Sequence, residues 1–208
     1  MRVDVGVCYV AYGENAQREA ARSIQSLRQF HDWPVSVIGE RVDGAKCLPL
    51  ERVDTGGRWA KVNLNNLSPY LYTLYIDADT LVRGSLSAGF EILFDGWDAA
   101  IVPSNQQGSE LLWHVTEEER QATLCELELE PLQLQGGLFF FQRNEAVDRF
   151  FSVWRSEWLR FKGQDQGALL RALMQCPLRL WLLGYPWNGG TVVDHRFGRA
   201  RESSHSLV

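Results

Sequence analysis

Short apolar runs recur along the chain, and each of them predicts a strand. VDVGVCYV at 3–10 and VSVIG at 35–39 are nearly continuous in apolar residues, which is typical of parallel strands covered on both faces. The run LYTLYID at 71–77 has the same character until its last residue. The predicted strands are residues 3–10, 35–39, a stretch around Arg52 and Val53, 71–77, 98–103, 136–142 and 178–183.

The segments between these runs show the spacing of amphipathic helices. In the longest of them, Asn144 provides an N-cap, and apolar residues follow at helical spacing to about Phe161. The predicted helices are residues 15–30, 58–67, 144–161 and 165–174. Strands that alternate with helices indicate an α/β fold with a mostly parallel central sheet flanked by helices.

Residues 104–134 break this alternation because they are polar and lack a strand pattern. Within them, Thr116 is followed by three glutamates, the pattern of a capping box that begins a short helix. We therefore expect 104–134 to be an insertion laid over the surface of the domain.

Composition narrows the class of protein. The chain has 208 residues, so we expect 1–208 to form a single domain. Its net charge is -5 and no basic tract stands out, which argues against nucleic acid as a partner. Four widely spaced cysteines are typical of reduced thiols, and the first residues match neither a signal peptide nor a membrane span. We expect a cytoplasmic protein without a transmembrane segment.

Two carboxylates follow the predicted strand 71–77 where ligands of open α/β sheets bind. In extended backbone, Asp77 and Asp79 point to the same side, and their charges repel unless a cation lies between them. Mg²⁺ or Mn²⁺ suits such oxygen ligands when phosphate is another ligand. The alternative is a turn with two solvated carboxylates.

A phosphatase of the haloacid-dehalogenase type is a second interpretation, since those enzymes also end a strand with two aspartates. In that family a Gly-Thr pair usually follows and the motif normally lies on the first strand. Here Thr80 follows Asp79 directly, and the motif comes after about three strands. This pattern favours another class of enzyme.

A series of motifs in order resembles glycosyltransferase family 8, especially its glycogenin-like branch. The motifs are SLRQ at 26–29, Arg58 and Lys61 ahead of DADTLV at 77–82, GGLFFFQRN at 136–144, GQDQGALLRAL at 163–173 and VVDHRFGRAR at 192–201. Lys61 precedes Asp77 by sixteen positions, as in that family. The resemblance implies a GT-A (Rossmann-like) fold and transfer of a sugar, usually from a UDP-linked donor, with retention at the anomeric carbon.

The resemblance also implies a set of site residues. The metal ligands, for Mn²⁺ or Mg²⁺, would be Asp77, Asp79 and His195. The catalytic residues would be Asp165, Gln166 and Lys61. The residues that bind the nucleotide-sugar donor would be Arg58, Lys61, Tyr12, Gly137, Gly198 and Arg201.

Asp165 and Gln166 resemble the pair that faces the donor sugar in this family. Glutamine is a poor nucleophile, so the resemblance favours attack on the front face of the sugar, with Gln166 stabilising its charge. The alternative for Asp165 is a helix N-cap, and for His195 it is an ordinary surface histidine.

The chain departs from the family pattern at two places. Ala16 stands where the family has a tyrosine that stacks on uracil, and Tyr12 lies a few residues earlier. The nucleotide is therefore open among UDP, GDP and ADP. Gln135, Gly136 and Gly137 replace the family's Asn-Ser-Gly.

The insertion is expected to cover the acceptor site, and the acceptor is open between a glycan, a small molecule and a protein. The oligomeric state is also open, and a non-catalytic nucleotide-sugar-binding protein is the third hypothesis.

Overall fold

The computed structural model describes residues 4–54, 56–104, 112, 114–127 and 132–196. The strands are β1 (Val5–Ala11), β2 (Val35–Gly39), β3 (Lys46–Leu48), β4 (Tyr72–Ile76), β5 (Thr80–Val82), β6 (Ala99–Pro103), β7 (Leu134–Gln142), β8 (Leu180–Leu182) and β9 (Val193–His195). The helices are α1 (Gly13–Leu27), α2 (Arg58–Lys61), α3 (Leu64–Leu67), α4 (Ser87–Phe94), α5 (Glu117–Leu127), α6 (Glu145–Phe161) and α7 (Gln166–Gln175).

The central sheet of the described chain has seven strands in the order β3-β2-β1-β4-β7-β6-β8. Parallel pairs join β1 to β2 and β4, β2 to β3, and β6 to β8. Only β7 among these seven runs antiparallel to its neighbours, β4 and β6. The predicted mostly parallel α/β sheet is confirmed. Because β1, β4 and β6 share one direction, their carboxyl ends meet at one edge.

Aromatic side chains build the core on one face of the sheet. Phe139 and Phe141 of β7 meet Phe151 and Trp154 of α6, with ring centroids of Phe141 and Phe151 5.1 Å apart. All four side chains are buried. Each such ring removes roughly 150–250 Å² from water, so this stripe anchors α6 and the loop that follows it.

Helices α1 and α4 cover the other face of the sheet. Phe140 of β7 points to this side, and Phe90 of α4 meets it edge to face at 5.3 Å. Gly89 lets α4 come this close, because a Cβ there would lie 2.2 Å from the Phe140 ring. The α1 residues on this face include Ile24 and Leu27, as the helical spacing predicts.

Two predicted helix starts are observed. The side chain of Asn144 accepts the N–H of Val147 at 2.9 Å and caps α6. The hydroxyl of Thr116 accepts the N–H of Glu119 at 3.2 Å and begins α5. No helix in the described ranges has both the length and the apolar character required to cross a bilayer.

Several elements differ from the expectation. No strand forms around Arg52 and Val53, where Arg52 Nε instead bonds the carbonyl of Asp54. The third strand is β3, which pairs with β2. The predicted helix 58–67 is two short helices, because the chain tightens at Asn63, whose N–H bonds the carbonyl of Ala60. The pattern also missed α4, β5 and β9.

Candidate active site

A cavity of about 630 Å³ opens at the sheet edge where β1, β4 and β6 end. This is the edge at which open α/β sheets bind ligands. Distant parts of the chain meet there, and the predicted site residues that line the cavity are Arg58, Lys61, Asp77, Asp79, Asp165, Gln166 and His195. The fold therefore brings these seven predicted residues together.

The candidate metal site lies at the end of β4. Asp77 and Asp79 occupy the turn before β5, and β5 pairs with β9 so that Thr80 lies opposite His195. As a result, His195 Nε2 is 3.2 Å from Asp79 Oδ1 and 3.7 Å from Asp77 Oδ2. Candidate ligand atoms of the three residues lie within 4.8 Å of one another. Two carboxylates and one imidazole are a donor set that fits Mn²⁺ or Mg²⁺.

The backbone and a tyrosine hold Asp77 in this turn. Its N–H bonds the carbonyl of Gly137 at 2.8 Å, and its own carbonyl accepts the hydroxyl of Thr80 at 2.8 Å. The phenol of Tyr75 donates to Asp77 Oδ1 at 2.6 Å. Burial and the nearby Asp77 carboxylate raise the pKa of Tyr75, so the phenol stays a donor. The carboxylate is thus oriented before any ion binds.

Two glycines of β7 leave space for both halves of the site. A Cβ at Gly137 would lie 2.3 Å from Asp77 Oδ2 and 2.5 Å from His195 Cε1. A Cβ at Gly136 would lie 3.0 Å from Asp165 Oδ2. The side chain of Gln135 accepts the Gly137 N–H at 3.0 Å and lies 3.5 Å from His195 Nδ1. This contact restrains the plane of the His195 ring.

A buried ion pair forms the second half of the site. Lys61 Nζ is 2.8 Å from Asp165 Oδ2 and 3.8 Å from Asp77 Oδ1. Arg58 Nε lies 3.7 Å from Asp165 Oδ1. Burial raises the pKa of Asp165, but the charge and hydrogen bond of Lys61 and the charge of Arg58 together hold that pKa below its usual value. Burial opposes the Lys61 charge as well, yet Asp165 and Asp77 raise its pKa.

Asp165 stands immediately before α7, yet its side chain makes no capping hydrogen bond. The capping alternative is therefore wrong, and its carboxylate serves the pair with Lys61. The next residue, Gln166, donates its amide N–H to the carbonyl of Leu134 at 2.9 Å. These two side chains thus face the cavity from the start of one helix.

The remaining donor-binding candidates are not all at the cavity wall. Tyr12 stands behind Gly57, a wall residue, whose added Cβ would lie 3.2 Å from the Tyr12 ring. The guanidinium of Arg52 lies over the Tyr12 ring, 5.9 Å from the ring centroid. Ala16 packs against a core cluster. Gly198 and Arg201 lie outside the described residues.

Sequence reasoning missed several residues of the cavity wall. Tyr75 resembled an ordinary core residue of a strand, and Glu19 resembled a solvated position of α1. Gln164 accepts a hydrogen bond from the guanidinium of Arg58 at 2.5 Å. Its position directly before Asp165 and Gln166 is the one feature of the sequence that could have indicated a place in the site. His114 reaches the cavity from the insertion.

Solved structures with the same fold are glycosyltransferases. The bifunctional glycosyltransferase WbbM matches 92% of this chain with a TM-score of 0.68 and 14% identity, and this chain covers 41% of its length. Mouse xyloside xylosyltransferase 1 matches 89% of this chain, and 87% of its own, with a TM-score of 0.60 and 13% identity.

The galactosyltransferase LgtC, solved with donor and acceptor sugar analogues, matches 86% of this chain and 73% of its own, with a TM-score of 0.56 and 12% identity. No family model matches the sequence, and no curated protein matches it. The resemblance to family 8 in particular therefore stays a prediction. The comparisons confirm the fold, and the chain has the GT-A fold of these glycosyltransferases.

Proposed function

We propose that this protein is a metal-dependent, retaining glycosyltransferase that moves a hexose from a nucleotide-diphosphate sugar, UDP-linked by preference, to an acceptor. One observation carries the proposal. The Asp77, Asp79 and His195 cluster and the Lys61–Asp165 pair line the same cavity, at the ligand-binding edge of a GT-A sheet. One cavity of about 630 Å³ thus joins a candidate cation site to a polar site.

The metal half of the site suits a diphosphate leaving group. Asp77, Asp79 and His195 would hold Mn²⁺ or Mg²⁺, and the ion would supply Lewis-acid stabilisation of the charge that develops on the diphosphate. Lys61 lies between this cluster and Asp165, 3.8 Å from Asp77 Oδ1, so its ammonium adds fixed positive charge beside the phosphate position. Gly137 keeps the space between the ligands clear.

The other half of the site suits a sugar. Asp165, kept ionised by Lys61, offers oxygens that accept hydrogen bonds from sugar hydroxyls. Gln166 is fixed by Leu134 and offers an amide oxygen toward positive charge on the anomeric carbon. In the transfer, the bond from that carbon to the phosphate oxygen breaks, the bond to the acceptor oxygen forms on the same face, and the acceptor proton passes to the leaving phosphate.

The donor-binding set is completed by Arg58 and Tyr12, with Gly198 and Arg201 proposed from sequence alone. The acceptor is a glycan, a small molecule or a protein, and the chain's net charge of -5 disfavours nucleic acid. All four cysteines are free thiols, which is compatible with the proposed cytoplasmic location.

Calorimetry with Mn²⁺ and UDP-, GDP- and ADP-hexoses tests the proposal. We expect one nucleotide class to bind at micromolar to millimolar concentration with Mn²⁺ and to lose most of its affinity with a chelator. The matched negative control is Asp79→Asn. Failure of every donor to bind at millimolar concentration refutes the proposal.

Donor hydrolysis separates the enzyme from a binding module. With Mn²⁺ and water as acceptor, we expect slow release of free hexose and nucleoside diphosphate. Chromatography measures both products. Tight binding without any release or transfer favours the non-catalytic nucleotide-sugar-binding protein. Release of inorganic phosphate without hexose favours the phosphatase.

A further inference from the structure

His114 is a cavity residue of the insertion that neither the metal cluster nor the Lys61–Asp165 pair uses. It is half-buried and lines the cavity together with Asp165 and Gln166. A hydrogen bond joins its side chain to Gln166. The imidazole therefore lies beside the pair that the proposed mechanism assigns to the donor sugar.

The chain fixes His114 from both sides. Two residues before it, the fully buried Leu112 donates its N–H to Gln133 Oε1 at 3.0 Å. Two residues after it, Thr116 caps α5. Hydrogen bonds thus hold the chain on both sides of His114.

Helix α5 is itself fixed to the helix that bears Gln166. Glu119 of α5 is 3.4 Å from the guanidinium of Arg171 of α7, and both side chains are buried. Gly167 of α7 permits the approach, because a Cβ there would lie 2.7 Å from Glu119 Oε1. His114 and Gln166 thus belong to one rigidly connected wall of the cavity.

The state of the imidazole suits a sugar hydroxyl. Burial lowers the pKa of His114, although Asp165 and the hydrogen bond with Gln166 oppose that shift. A neutral imidazole has one N–H donor and one acceptor nitrogen, and a hydroxyl group can satisfy the nitrogen that Gln166 does not contact. A neutral side chain also adds no charge to the anionic donor's site.

We propose that His114 is a specificity-determining residue that hydrogen-bonds a hydroxyl of the donor hexose beside Gln166. The inference rests on the proposed function and deepens it. It assigns part of sugar selection to the insertion, whereas the metal and phosphate contacts come from the sheet edge and α2.

The test compares His114→Phe, which keeps the ring shape and removes both nitrogens, with His114→Gln, which restores a donor and an acceptor. Calorimetry with Mn²⁺ measures binding of UDP, UDP-glucose and UDP-galactose, with GDP or ADP and their sugars substituted if they bind the wild type better. Gln121→Ala, on the exposed side of α5, is the control for the same helix.

We expect UDP affinity to change less than about twofold in every variant. In His114→Phe, the extra affinity of the better UDP-hexose over UDP should fall about tenfold, the equivalent of one hydrogen bond near 1.4 kcal/mol, and the preference between the two epimers should shrink. His114→Gln should recover part of both. A purely structural role would weaken UDP and UDP-hexose equally.

Two failures are distinguishable. If the wild type binds no nucleotide sugar, the proposed function fails, and the His114 assignment fails with it. If the wild type binds a donor but His114→Phe keeps the full sugar-dependent affinity and epimer preference, only the His114 assignment is overturned.

Discussion

Two clusters of buried charge contact α7. Both pair a basic side chain with carboxylates, but their surroundings differ. At the start of the helix, Lys61 and Asp165 pair beside the cavity. Along the body of the helix, Arg171 pairs with Glu157 of α6 at 2.8 Å and with Glu119 of α5 at 3.4 Å. Both clusters exclude most water, but only the first borders a space that a ligand can enter.

The Arg171 cluster is closed on itself. Its guanidinium nitrogens donate to both glutamates, to the carbonyl of Glu157 and to the hydroxyl of Thr123. The cavity cluster is open: Lys61 also lies 3.8 Å from Asp77, which converges with Asp79 and His195 at the cavity wall. A buried cluster whose charged groups contact one another fixes elements together, whereas a cluster that opens on a cavity is available for a substrate.

Breaking the closed cluster should have the largest effect on stability. Arg171→Met leaves Glu119 buried without its ion-pair partner, while Glu157 keeps Arg160 and Gln175, and the uncompensated charge of Glu119 costs about 3–5 kcal/mol of unfolding free energy. Urea unfolding followed by circular dichroism measures the change. Arg120→Gln is the control, because Arg120 pairs with an exposed glutamate and should cost under about 1 kcal/mol. Equal stability of both variants would contradict the comparison.

Breaking the open cluster should affect ligands rather than the fold. Asp79→Asn should weaken Mn²⁺-dependent donor binding at least about 100-fold, near 2.7 kcal/mol, while unfolding free energy changes by less than about 1 kcal/mol. Calorimetry and urea unfolding measure the two quantities. Asp194→Asn, next to His195 but paired with Arg83 at the surface, should leave metal binding intact. Unchanged binding in Asp79→Asn would refute the metal assignment.

Replacing Lys61 should affect both stability and ligand binding. Lys61→Met removes the partner of buried Asp165, yet water from the cavity can reach that carboxylate, so the stability loss should be about 1–3 kcal/mol and smaller than for Arg171→Met. Donor affinity should fall about tenfold or more because the positive charge near the phosphate is lost. Lys46→Met, at an exposed position, is the control. A larger stability loss than that of Arg171→Met would overturn the ranking.

The smallest effect is expected behind the metal turn. The Thr80 hydroxyl bonds the carbonyl of Asp77 and lies 2.9 Å from Ser23 of α1, which in turn contacts the phenol of Tyr9. Thr80→Val should lower Mn²⁺ affinity about fivefold and stability by about 1 kcal/mol. Manganese titration measures the first. Ser156→Ala, at an exposed hydroxyl, serves as control. If Thr80→Val binds Mn²⁺ as tightly as the wild type, Thr80 does not position Asp77 for the metal.

Local pattern predicted much of the fold but less of the site. The strands before Asp77 and around Phe139, and the cap at Asn144, follow from short-range periodicity and capping chemistry. Helix α4 was missed because its residues are apolar on nearly all sides, which hides the helical period.

The site depends on pairings that no local pattern encodes. His195 reaches Asp79 through the register of β5 and β9, so only the resemblance to a known family indicated it. The need for glycine at 137 becomes evident only when Asp77 and His195 are found against it. No local pattern indicates the burial of Arg171, which lies between Glu119 of α5 and Glu157 of α6.

The short β5–β9 ladder has a consequence for how the molecule assembles. Its two strands are more than a hundred positions apart, so this pairing closes a very long loop and carries a high entropic cost of closure. An ion held by both ends would stabilise the closed loop by mass action, since the unfolded chain lacks the site. The strand that ends at His195 would then be the part of the described chain whose resistance to proteolysis depends most on the concentration of free metal.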